Sequence, residues 1–244
     1  MSIVGLIILV SSLLGYNNIL RILDINAYLS WITSMLVQTI LLYIFAMLGY
    51  LHLGIYIVTL MGVVFFISTL LLVFFKKRKL KHTKKIYWFD IWMLIFGLLL
   101  INVLHNSPLV HYDNYSHWAT IIKFLVFEGH LPDAAQKLIT FTSYPPATAL
   151  FITNFVFWVH FSESAMLIGQ FVLIWAALYA MFGVLRDRMR SLNTFVICFV
   201  ISLIQIFNIS IRMNNLLVDF LLPLIAVAGL IGIYMVDCKI KPNT

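Results

Sequence analysis

Apolar residues run almost unbroken through about 3–20, 28–50, 53–75, 88–104, 146–161, 164–185, 193–211 and 216–236. Helices on a soluble protein carry a polar stripe, and these runs do not. A stretch of about 20 apolar residues matches the hydrocarbon thickness of a bilayer, where the backbone must satisfy its own polar groups as helix. The pattern therefore predicts an all-α, polytopic transmembrane helical bundle with about eight apolar segments. Tyr16, Asn17 and Asn18 interrupt the first, which is read as a retained helix because it has neither a basic leader nor a small-residue cleavage pattern.

Only the interval from His111 to Pro146 is long and polar-rich between apolar runs. Within it Trp118, Ile121, Ile122, Leu125 and Val126 recur at i, i+3, i+4, i+7 and i+8, one apolar stripe of an interfacial helix. Opposite the stripe fall His117, Thr120 and Lys123, with Asp113 if the helix starts early. Asn114 or Ser116 is placed to cap its start and Gly129 to end it. Asp133 is placed to start a second short helix over 134–137. Phe124 and Phe127 lie near the polar side, positioned to meet a lipid chain or another span. The plainer reading of such a loop is an interfacial anchor.

Composition agrees: 63% of residues are hydrophobic, 10% charged, and mean hydropathy is +1.02. The net charge of +7 comes largely from Lys76, Lys77, Arg78, Lys79, Lys81, Lys84 and Lys85, between two apolar runs. That placement reads as a cytoplasmic loop, not a nucleic-acid site. The chain thus divides into N-terminal helices with a basic loop, 1–85, and a membrane module, 86–244, whose loop 105–145 is external. Arg186, Arg188, Arg190, Lys239 and Lys241 belong on the basic side by the same rule. Two full crossings at 146–161 and 164–185 would put Arg186 on the wrong side, so the shorter 146–161 is expected to be tilted, re-entrant or surface-lying. The tip of the hairpin 193–236 then brings Arg212 and Asp219 to the side of the loop.

Chemistry is scarce enough to enumerate. Asp113, just beyond a span, is a candidate general base for a hydroxyl nucleophile; its bland role is a turn or N-cap aspartate. His117, Lys123 and Arg212 are cations available to a phosphate leaving group, or to lipid phosphate by snorkelling. Asp219 lies about one turn into an apolar run, where a carboxylate costs up to about 3 kcal/mol unless it meets a polar cavity or a partner such as Arg212. The histidines lack zinc spacing and no glycine-rich phosphate loop occurs, so neither metal nor cofactor is expected. Cys198 and Cys238 form no motif.

Four pieces in order carry a resemblance: Asp113 after an outward span, the amphipathic 116–128, Tyr144-Pro145-Pro146 opening the next apolar run, and Arg212 with Asp219 at the head of a later one. Together they resemble the GT-C superfamily of polytopic glycosyltransferases. Asp-Asn-Tyr-Ser-His-Trp, with Lys123 and Ser-Tyr-Pro-Pro-Ala-Thr-Ala-Leu-Phe, also resembles uncharacterised Gram-positive membrane proteins placed near it. The resemblance covers about 88–236. It implies a multi-pass protein of a bacterial plasma membrane that transfers sugar on the outer face, in cell-envelope polysaccharide or glycolipid assembly. The donor would be a polyprenyl-phosphate-linked sugar and the acceptor an envelope glycan or lipid. Asp113 would be the base, with Asp219, Arg212 and Tyr144 around acceptor or phosphate. Where the superfamily often carries an acidic pair, this chain has Asp113-Asn114. Members usually have more spans, so the expectation is a truncated member, half of a split enzyme with a second membrane chain, or an inactive one. The alternative is a transporter or non-catalytic subunit for lipid-linked saccharides.

Overall fold

A computed structural model describes residues 2–76, 85–133, 136–139, 141–207 and 213–238. Among them every regular element is helical: α1 (Ile3–Ile22), α2 (Ser30–Met47), α3 (Leu51–Lys76), α4 (Trp88–His105), α5 (Ala119–Glu128), α6 (Ala147–Val159), α7 (Glu163–Ala180), α8 (Ser191–Phe207) and α9 (Val218–Asp237). Among the described residues six helices are long and apolar enough to cross a membrane: α1, α2, α3, α4, α7 with the 3-10 turn that extends it, and α9. The other two of the eight expected apolar segments form α6, 13 residues and about 20 Å, and α8, 17 residues and about 25 Å. Most of the basic run, 77–84, lies outside the described residues, as do Lys239 and Lys241.

Apolar runs of this kind have no water to segregate from inside a bilayer, so close contact between backbones must hold them together. α1 and α3 show it. Gly15 faces Gly62 so closely that a Cβ at Gly15 would run into the Gly62 carbonyl and approach the Phe66 amide nitrogen to 2.7 Å. Polar side chains reinforce the pair. Tyr16 donates to the Val58 carbonyl at 3.0 Å, and Asn18 Nδ2 to Thr69 Oγ1 at 3.3 Å. Asn17 Nδ2 donates to Ser30 Oγ at 2.8 Å, linking α1 to α2.

α4 packs antiparallel to α7: Trp175 Nε1 donates to the Met93 carbonyl at 3.0 Å, and Tyr179 to Asp90 Oδ1 at 2.7 Å. Phe89 stacks on Phe182 with ring centroids 4.2 Å apart. Arg186, Arg188 and Arg190 follow α7, and Lys85 precedes α4, so these sit at one end of the bundle. The loop 106–146 emerges at the other.

α6 and α7 form a hairpin through residues 160–162, with Phe155 packed where a Cβ on Gly169 would stand. Val159, closing α6, accepts the Ser2 amide at 2.7 Å, so α6 ends beside the start of α1 at the loop end. At 13 residues α6 is shorter than a full crossing needs, and α7 leads the chain to its three arginines.

Gly15→Ala should lower stability by about 1–3 kcal/mol, since the methyl meets backbone that cannot yield. Gly229→Ala, with nothing within 4 Å of its Cβ position, should change stability by less than about 0.5 kcal/mol or raise it slightly. Thermal unfolding of the two variants in one detergent distinguishes them; equal losses would mean that α1 and α3 do not meet at their glycines.

Candidate functional site

The loop leaves α4 and is tied down at once. Glu163, in the first turn of α7, accepts the Leu109 amide at 2.9 Å, and Tyr115 donates to the Leu109 carbonyl at 2.7 Å. The chain then makes one turn of π-helix, Asn114–Trp118, closed by the Ala119 amide on the Asn114 carbonyl. Thr120 Oγ1 donates to the carbonyl of Tyr115, also five residues back, at 2.6 Å. Such widened turns swing side chains off the register of the helix they precede.

α5 continues as expected. Ile121, Ile122 and Leu125 are buried, and Gly129 ends the helix with φ 71°. A side chain at Gly129 would be strained by that φ and would meet His52 Nδ1 at 2.7 Å. The Gly129 carbonyl accepts the Leu51 amide at 2.9 Å, and His52 Nε2 lies 2.8 Å from the Val126 carbonyl, to which it must donate. α5 is therefore docked on the start of α3. Phe124 is buried against His130, and Phe127 meets Phe161. Of the second short helix, Ala134 and Ala135 lie outside the described residues; the Gln136 amide closes a turn on the Asp133 carbonyl, and 136–139 are not helical.

Two expectations for the π turn need correcting. Asn114 does not cap the helix. Its Oδ1 accepts the amide of Leu216, 102 residues away, at 2.8 Å, because that amide precedes α9 and has no helical partner. His117 is not on a solvated face. Only 4% exposed, it lies edge-on to Trp118, Phe141 and Tyr144 at centroid distances of 4.7, 5.7 and 5.2 Å. Burial lowers its pKa from the usual 6.5, with Asp113 partly opposing, so at neutral pH the imidazole is not a cation.

Asp113 stands at the start of the π turn and its side chain makes no capping bond. Its carboxylate, next to the exposed Tyr112, raises the Tyr112 pKa. It also stands 3.5 Å from His111 Nδ1, the atom that accepts the Asp113 amide at 3.3 Å when it bears no proton. Lys123 is exposed. Tyr144 is 45% exposed and stacks on Phe141, itself 47% exposed, at 4.9 Å. Asp219 is the second residue of α9 and exposed, in the first turn where the helix dipole favours a carboxylate. Arg212 lies outside the described residues.

Reading the sequence missed Gln170. It is 3% exposed on α7, and its Nε2 donates to the carbonyls of Asn215 at 3.1 Å and Leu217 at 3.3 Å. Seven residues into α7, it sets the start of α9 about 10 Å below the first residue of α7. A lone amide in an apolar helix was the available signal. A pocket of about 150 Å³ lined by His105, His160, Ser162 and Ser164 among others was also unforeseen. Among the described residues no group of three or more His, Cys, Asp and Glu side chains is placed to hold a metal.

Comparison with known protein families, curated proteins and solved structures returns no match.

His117 should titrate below 6.5 by proton NMR. Since the unfolded chain takes up that proton near 6.5 and the folded one only at lower pH, stability should be undiminished above 6.5 and fall as pH drops below it. His117→Phe should flatten that slope; an unchanged slope would place the effect elsewhere.

Proposed function

We propose that the chain is a GT-C-like membrane glycosyltransferase, or the membrane module of one, using a polyprenyl-phosphate-linked sugar. One observation supports this above others: three segments that carry the resemblance converge. The π turn beside Asp113 is bonded to Leu216, three residues before Asp219, and its His117 lies against Tyr144. Contacts across about 100 residues of sequence are not needed by an interfacial anchor.

In this reading an acceptor hydroxyl gives its proton to the Asp113 carboxylate while its oxygen bonds to the anomeric carbon of the donor. The bond from that carbon to phosphate oxygen breaks, and polyprenyl phosphate leaves with the electron pair. Asp113 is suited to this by partial exposure and by having no capping bond to surrender. Lys123 and Arg212 remain the cations offered to phosphate; His117, neutral, does not. An outer-face location in a bacterial plasma membrane is supported by the basic residues Arg21, Lys85, Arg186, Arg188 and Arg190 at the opposite end of the bundle.

Radiolabelled sugar transfer from polyprenyl-phosphate sugars, in membranes holding the wild type or Asp113→Asn at equal expression, tests the reading. Loss of the base should slow transfer by about 10²–10⁴-fold. Equal transfer by both would remove Asp113 from the chemistry.

A further inference from the structure

Where the π turn meets the start of α9, polar atoms are buried without partners, and their types are fixed by the bonds their side chains do make. Asn114, fully buried, must present its oxygen to the Leu216 amide, which leaves the Nδ2 amine as an unused donor. Gln170 must present its nitrogen to two carbonyls, which leaves Oε1 as an unused acceptor. Both side chains are anchored on the one segment 215–217. Three residues after Asn114, both ring nitrogens of His117 are also buried without partners. An unsatisfied buried polar group costs about 1–3 kcal/mol, so a partner for these atoms is worth seeking.

We infer that the junction of Asn114, His117 and Gln170 is a binding site for a neutral, hydroxyl-rich ring of the saccharide class, seated against Tyr144 and Phe141. A hydroxyl both donates and accepts, so it can serve the orphan amine of Asn114 and the orphan carbonyl of Gln170 alike. The neutral imidazole, one nitrogen donor and one acceptor, suits a second hydroxyl. Phosphate is disfavoured, because the buried groups bear no positive charge and the Asp113 carboxylate acts on the same imidazole. The stacked, half-exposed rings of Phe141 and Tyr144 offer negative faces to polarised C–H bonds, as found on one side of a pyranose. Both lie on the non-helical stretch before α6. The assignment rests on the transferase reading only for what the ring belongs to, donor or acceptor.

The full chain in lipid nanodiscs is titrated with methyl glucoside, galactoside, mannoside and N-acetylglucosaminide, observed by saturation-transfer NMR, with inorganic phosphate as competitor. At least one hexoside should bind, with transfer strongest to the protons of one ring face. His117→Phe, which keeps the aromatic packing, and Gln170→Leu should each weaken it about tenfold, the worth of one to two hydrogen bonds. Tyr144→Ala, at an exposed position, serves if Gln170→Leu does not fold. Absence of hexoside binding by the wild type, binding unchanged in the folded variants, or displacement by phosphate would each overturn the assignment and leave the orphan atoms to water. The transfer assay separates the two ideas. Wild-type transfer without hexoside binding at this junction sinks the inference alone, and binding without transfer sinks the transferase reading alone.

Discussion

A backbone that leaves helical conformation inside an apolar bundle must find partners for its amides and carbonyls, and residues 215–217 are where this chain meets that demand. Asn114 supplies an acceptor to Leu216, Gln170 supplies donors to Asn215 and Leu217, and Asn215 Oδ1 accepts the Leu217 amide at 3.2 Å. These bonds set the depth at which α9 begins and hold the π turn of the loop against it. The position of Asp113 and the burial of His117 follow from that attachment. Without it the π turn would be held only by its neighbours along the loop, Leu109 bonded to Glu163 on one side and α5 docked on α3 on the other.

The rest of the bundle is arranged to leave this corner irregular. α1 and α3 pack through glycines and α4 and α7 through large aromatics, giving two rigid walls. α6, too short to cross, fills between them and returns the chain to the loop end. Its Asn154 accepts the Thr59 hydroxyl at 3.3 Å, which in turn accepts Trp158 Nε1 at 3.0 Å. Polar side chains inside the bundle thus work in short chains. At the junction of Asn114, His117 and Gln170 the chain is left open, as it also is at Gln38, Thr153 and the amine of Asn154.

How much of this could be read from the residues differed with the range of the interaction. The apolar runs, the stripe Trp118, Ile121, Ile122, Leu125 and Val126, and the cap at Gly129 are local, and periodicity with one special φ expresses them. The shortness of 146–161 was legible from charge placement around Arg186. Asn114 was read as a cap, because a helix start is the local use of an asparagine and nothing nearby points to Leu216. His117 was placed on a wet face because helical phase says nothing of Phe141 and Tyr144, which fold back from more than twenty residues on. The misreadings fall where the widened turn breaks register. Asp219 came out exposed in a first turn, a placement that hydropathy alone does not distinguish from burial.

Amide hydrogen exchange at Leu216 and Leu217, in nanodiscs, tests the attachment most directly. Both precede or open α9 and have no helical acceptor, so protection can come only from Asn114 and Asn215. They should exchange as slowly as amides within α9, and Asn114→Ala should speed Leu216 by about tenfold or more while leaving the middle of α9 unchanged. Exchange at Leu216 as fast as in the exposed turn 136–138, or unaffected by Asn114→Ala, would contradict the account.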